Sequence, residues 1–235
     1  MTDWNRDVLY EDNHLLVVNK PAELPTMGVR AGRANLLEQA KRYIAEKYDK
    51  PGKVYLGVVS RLDAPVTGAL VIARTSKAAS RLTAQFRAGD VEKEYWTVTV
   101  AAPSPASGEC VDLMRKDDRH RKMFVTKQEG SEAKLAKLDY QTLEELAGGR
   151  ALVRVNLHTG RKHQIRVQLA HRGWAVWGDR KYGGELGFEP GIALHSRRIA
   201  FSHPVRDQSL ELICPLPPSW DRLKIQYERN SGRES

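Results

Sequence analysis

Strand-like segments follow one another along this chain without the regular interleaving of helices. That order is the strongest constraint on its fold. Residues 95–100 (YWTVTV) alternate and are rich in β-formers. Alternating segments recur at 122–126, 135–142 and 150–157, and residues 192–201 and 210–214 supply the last strands. Nearer the start, 15–19 (LLVVN) is a short apolar run closed by Pro21, as expected of a buried strand. Residues 54–59 and 69–73 predict two more strands, with 60–68 as the loop between them. Helical spacing is confined to three places. Leu36, Leu37, Ala40, Tyr43, Ile44 and Tyr48 predict a helix over 35–48. Ser76 is the expected cap of a helix to about Ala88, with Ala79, Leu82, Thr83 and Phe86 as its stripe and Gly89 as its stop. A third helix is expected over 164–171, ending at Gly173. Consecutive strands without βαβ alternation predict an α+β fold on a largely antiparallel sheet.

With 235 residues the chain is long enough for a substantial core. Residues 21–34 carry two Pro and two Gly and read as a loop; 102–108 (APSPASG) read as a flexible connection and the one hinge; the tail beyond Tyr227 is polar and expected to be disordered. One domain over 1–227 is therefore expected, with 228–235 as a disordered tail. Apolar runs such as 69–73 fall far short of the ~20 residues a membrane helix needs. The first residues lack the basic-then-apolar layout of a signal peptide, so a cytoplasmic location is the default expectation. Cys110 and Cys214 form no CxxC pattern and are expected to be free thiols.

Lysine and arginine total 38 against 29 acids, for a net charge of +9. The excess is clustered. Arg115, Lys116, Arg119, Arg121, Lys122 and Lys127 stand together, as do Arg161, Lys162, Arg166, Arg172, Arg180 and Lys181, where Asp179 is the single intervening acid. Such clusters suit phosphate contacts, which supply most sequence-independent affinity for nucleic acid. No Gly-rich phosphate loop and no HExxH pattern is present, and His158 and His163 have no acid or cysteine at ligand spacing. No cofactor and no metal are expected.

Three segments concentrate chemistry. In 60–68 (SRLDAPVTG), an extended backbone would send Arg61 and Asp63 to one side, with Leu62 inward; a lone RLD is more often a surface turn. In 159–169 (TGRKHQIRVQL), a turn entering a helix would set Arg161, Lys162 and His163 where free N–H groups favour phosphate, with Ile165 and Leu169 facing the core and Arg166 at an edge. In 92–96 (EKEYW), alternation sends Lys93 and Tyr95 to one face, where Tyr95 could stack on a base.

Taken together and in this order, these segments resemble the RluA-type pseudouridine synthase family over residues ~8 to ~220. The opening 8–21 (VLYEDNHLLVVNKP) looks like the family's N-terminal signature. RLD with Gly68 and 70–75 (LVIART) matches its catalytic motif, and Lys93-Glu94-Tyr95 its tyrosine motif. Residues 159–169, then Gly178-Asp179 and Tyr182-Gly183, match its arginine motif and sequel, and Leu194-His195 and 214–217 (CPLP) its closing strands. The resemblance implies that family's catalytic fold, an α+β fold with an extended, largely antiparallel mixed β-sheet flanked by helices and loops. It implies an isomerase converting uridine to pseudouridine in structured ribosomal or transfer RNA, working without a cofactor. Asp63 would be the essential carboxylate. Arg61 would fill the space left by the extruded uridine, Tyr95 would lie against the uracil, Arg166 would pair with Asp63, and Leu194 would pack near the base, with Leu62 beside them. Two positions depart from the family: Ser60 stands where His is usual, and Val66-Thr67 where Thr-Ser is common. The family's frequent extra N-terminal RNA-binding module is not expected, and a monomer is. The alternative is a relative that binds RNA without catalysing. The residues leave open whether Asp63 bonds to the sugar, bonds to the ring, or acts as a base.

Overall fold

The computed structural model describes residues 3–28, 34–128, 130 and 132–227. The expected disordered tail, and residues 29–33 of the expected loop, lie outside them. In chain order the elements are α1 (Trp4–Asp7), β1 (Val8–Glu11), β2 (Leu15–Lys20), α2 (Leu36–Lys47), β3 (Gly57–Val58), β4 (Thr67–Ala73), α3 (Ser76–Ala88), β5 (Glu92–Thr99) and β6 (Ser107–Asp117). They continue as β7 (Lys122–Thr126), β8 (Lys134–Leu146), β9 (Arg150–Leu157), α4 (Gln164–His171), β10 (Leu194–Ser202) and β11 (Ser209–Ile213). The chain divides into two compact units, Met1–Glu92 with Ser196–Leu216, and Lys93–His195 with Pro217–Ser235. No crossing between them falls in 102–108.

In the first unit the strands run β1-β2-β4-β10, with β11 on β10 and β3 on β4. β2 and β4 pair antiparallel from Leu15 opposite Ala73 to Lys20 opposite Gly68. Both are apolar at nearly every position because both faces are covered. Leu15, Val17, Ala69, Val71 and Ala73 pack with Ala78 and Leu82 of α3 and with Ile199 and Phe201 of β10. The alternate set, Leu16, Val18, Leu70 and Ile72, is equally buried. α2 begins at Asn35, whose side chain accepts from Glu38 N–H, and buries Leu36, Ala40 and Ile44. α3 is capped by the Thr75 side chain rather than by Ser76, and Gly89 ends it in the left-handed conformation. Thr75 holds the extended backbone a cap requires, while Ser76 is already helical.

In the second unit the order is β5-β9-β8-β6-β7, every pair antiparallel. β6 was not expected from the sequence. Its polar, partly exposed residues show no clean alternation, yet it runs eleven residues against β8 and β7. It takes in Ser107 and Gly108, so the flexible connection is shorter than its composition suggests. Elsewhere the predicted strand over 54–59 shrinks to Gly57–Val58, and β4 starts at Thr67, inside the predicted loop. Neither cysteine forms a disulfide among the described residues, and both are buried. Among the described residues no helix is long and apolar enough to cross a membrane.

Candidate active site

The first unit presents Asp63 on a loop pinned through its neighbours' backbones. Before it, Leu62 donates its N–H to Thr26 Oγ1 at 3.2 Å and accepts from the same hydroxyl at 2.9 Å. Leu62 is buried, as expected, and Thr26 is buried with it. Following it, Ala64 C=O accepts from Lys20 Nζ at 3.0 Å. Val66 N–H closes the turn on Asp63 C=O at 3.0 Å. Asp63 itself stays partly exposed and Arg61 exposed.

Lys20 was part of the opening signature but carried no role in the sequence reading. It is 0% exposed, and its ammonium also donates to Pro21 C=O at 2.8 Å and Leu24 C=O at 2.9 Å. Three carbonyls match the three donors of an ammonium. Burial pushes its pKa down to about 7, while the charges of Asp63 and Glu23 oppose that fall. Gly68, opposite Lys20, is where β4 passes β10: a Cβ there would stand 2.4 Å from Ser196 O and 2.5 Å from Ser196 N. Its φ of +113° is also one only glycine takes readily.

The second unit carries Tyr95 and Arg166. Tyr95 is half-buried on β5, opposite Val155 of β9. α4 is buried at every position from Gln164 to Leu169, so Arg166 is not at an edge; it is 5% exposed. A buried guanidinium needs a carboxylate. Asp179, 2% exposed, supplies one, accepting from Nε at 2.6 Å and from Nη2 at 2.9 Å. Tyr182 lies with its ring 5.1 Å from the guanidinium carbon, and its hydroxyl meets His163 Nδ1 at 2.6 Å and accepts from Met123 N–H at 3.0 Å.

Two glutamines fasten α4 to the sheet. Gln168 donates to Cys110 C=O, to Ala136 C=O and to Asp112. Gln164 donates to Lys137 C=O and to Gln168, and accepts from Thr159 and from Arg161 N–H. The turn entering α4 therefore satisfies part of its own backbone: Arg161 N–H goes to the Gln164 side chain, and Gln164 N–H to Arg161 C=O. Arg161 and Lys162 are exposed, while His163 holds the left-handed cap conformation. Leu194 opens β10 at 3% exposure. Lys20, Gln164, Gln168, Asp179 and Tyr182 thus bear structural load that sequence reasoning did not assign, although all five lie inside the segments that carried the resemblance.

Residues 14–171 match the RNA pseudouridylate synthase family model, and the chain belongs to that family of RNA uridine isomerases. Its relatives place it among the RluA-type members. It is 32% identical to the ribosomal large subunit pseudouridine synthase D of Xanthomonas campestris, over 97% of this chain and 71% of that protein. Against the protein of the same name in Pseudomonas aeruginosa the figures are 32%, 92% and 69%. An uncharacterized RNA pseudouridine synthase of Chlorobaculum parvum is 35% identical over 89% of this chain and 70% of its own. The solved structure of human RNA Pseudouridylate Synthase Domain Containing 4 matches with a TM-score of 0.77 at 27% identity, covering 94% of each chain.

Proposed function

We propose that this enzyme isomerises uridine in the RNA of the large ribosomal subunit, with Asp63 as the catalytic carboxylate. The RNA is inferred from the names of the relatives. The observation that carries the assignment of Asp63 is the clamp on its loop: Thr26 holds Leu62 and Lys20 holds Ala64, so the backbone that carries Asp63 is fixed on both sides while its side chain stays partly exposed. Catalysis profits from groups held in place before the substrate arrives.

The reaction breaks the bond from N1 of uracil to C1′ of ribose and forms one from C5 to C1′. The hydrogen on C5 leaves as a proton and N1 gains one, so no electron is exchanged. Carboxylates serve glycosidic cleavage by attack or by stabilising a cationic sugar, and either needs Asp63 ionised. Arg166 is its proposed cationic partner. Tyr95 lies against the uracil and assists the proton transfer, and Leu194 and Leu62 pack near the base. A base held in a duplex must first be flipped, at a cost of a few kcal/mol; Arg61 offsets part of that by occupying the gap. Arg161 and Lys162, with His163 behind them, and the basic β6–β7 hairpin grip flanking phosphates. One domain over 1–227, acting as a cytoplasmic monomer, completes the reading.

Release of tritium from ribosomal RNA labelled at uridine C5 tests it. Wild type should release tritium, and Asp63→Asn should release none while its RNA affinity stays within a few-fold. Near-normal release by Asp63→Asn sinks the assignment of the carboxylate; release from transfer RNA alone moves the substrate.

A further inference from the structure

The deeply placed cations Lys20, Arg166, Arg172 and Arg74 each have a partner. Lys20 has three carbonyls and Arg166 has Asp179; Arg172 has Asp112, and Arg74 has Glu11. Lys93 differs. It is half-buried on β5, and burial pushes its pKa below the ordinary lysine value with no neighbouring charge offsetting the fall. No hydrogen-bond or ion-pair partner for it occurs among the described residues. Strand alternation explains why the adjacent acids do not help. Glu92 and Glu94 leave from the opposite face, where Glu92 meets Arg198 and Glu94 accepts from Trp96 Nε1. Lys93 shares its own face with Tyr95 and Thr97, in a strand whose pairing with β9 continues without a bulge through Tyr95 and Thr97.

A partly desolvated ammonium with no acceptor among the described residues is a standing cost, and such costs persist where a ligand removes them. We propose that Lys93 is a substrate-binding residue whose ammonium takes a backbone phosphodiester of the RNA beside the uridine held by Tyr95. The inference rests on the reading of Tyr95 given above. The ligand is an anion because the donor is a cation that finds none among the described residues. In a family whose substrate is RNA, the phosphodiester is the anion always present. Lysine suits it as a compact charge on a flexible stem.

The test uses the full chain, with bulk ribosomal RNA as the probe. Three quantities are read for wild type, Lys93→Met and Lys93→Arg: melting temperature, the slope of log Kd against log salt, and tritium release from C5-labelled RNA. Lys93→Met should melt no lower than wild type, since it removes a desolvated charge. It should weaken binding about tenfold, the worth of one charged hydrogen bond. The salt slope should fall by about one phosphate contact, and Lys93→Arg should restore it. An unchanged slope in Lys93→Met overturns the proposal. A lowered melting temperature with an unchanged slope also overturns it and assigns a structural role instead. If wild type releases no tritium from any RNA but the slope still falls by one, the functional reading fails and the phosphate contact stands. If wild type releases tritium and the Lys93→Met slope matches wild type, only the Lys93 inference fails.

Discussion

The Asp63 loop and the Arg166 helix are fastened by different means. The Asp63 loop is fixed through peptide groups: a threonine hydroxyl on Leu62 and a buried ammonium on Ala64. Its own side chain remains partly exposed. Arg166 sits on a buried helix that is fastened by Gln164 and Gln168, and its side chain is itself gripped by Asp179 against the ring of Tyr182. The difference follows from chain geometry. A loop has no regular hydrogen bonds to stiffen it, so its backbone must find partners elsewhere. A helix is stiff already, and what must be fixed there is a long side chain with much rotamer freedom.

The largest effect should come from the loop's anchor. Lys20→Met leaves three carbonyls without their donor, at about 1–3 kcal/mol each where they stay buried. The loss should show in urea unfolding, together with strongly reduced turnover. It should also depend on pH. The folded protein holds Lys20 at about pKa 7, against 10.5 when unfolded, so between those values the unfolded chain binds more protons. Wild type therefore gains stability from this group as pH rises through that window and loses it as pH falls toward 7, by up to about 1.4 kcal/mol per pH unit. Lys20→Met should lack that slope, and the gap between the two proteins should be wider at pH 9 than at pH 7. A constant gap would show that the ammonium stays charged throughout.

Next in size is the arginine's partner. Asp179→Asn breaks a buried pair, at about 3–5 kcal/mol. If Asp179 serves to aim Arg166, kcat should fall much further than RNA affinity. If kcat per folded molecule is unchanged, the pair is a fold element alone.

These two arrangements were unequally legible in the sequence. The apolar runs of β2 and β4 and the spacing of α2 are periodic, and periodic patterns survive into the fold. The segments around Asp63, Tyr95 and Arg166 could be recognised because their residues are unusual in order. Their supports could not, since a support is defined by where a side chain ends. Lys20 falls just past the strand predicted over 15–19, and only the register that sets it opposite Gly68 buries it beside Ala64. Arg166 looked like an edge residue because the spacing turned Ile165 and Leu169 to the core; Gln164 and Gln168 are buried as well, being bonded to main-chain carbonyls of other elements. β6 stayed hidden because a strand held by β8 over Ser107–Met114 and by β7 over Leu113–Asp117, with many of its side chains exposed, can be polar along most of its length.

Tyr182 gives the smallest effect and the sharpest discrimination. Its hydroxyl joins His163, at the mouth of α4, to Met123 N–H on the basic hairpin, while its ring lies against Arg166. Tyr182→Phe keeps the ring and removes the hydroxyl. Stability should fall by only ~1 kcal/mol, the net worth of an ordinary hydrogen bond or two. The Asp179 pair is untouched, so kcat should hold. Met123 N–H loses its acceptor, and its exchange with solvent deuterium should accelerate while neighbouring β7 amides change little. KM should rise as the hairpin loosens from α4, because that hairpin carries Arg115, Lys116, Arg119, Arg121 and Lys122. Faster Met123 exchange with unchanged KM would separate the hairpin's anchoring from RNA binding. A fall in kcat instead would show that the hydroxyl, and with it His163, helps hold the arginine, so that Arg166 depends on contacts beyond its carboxylate.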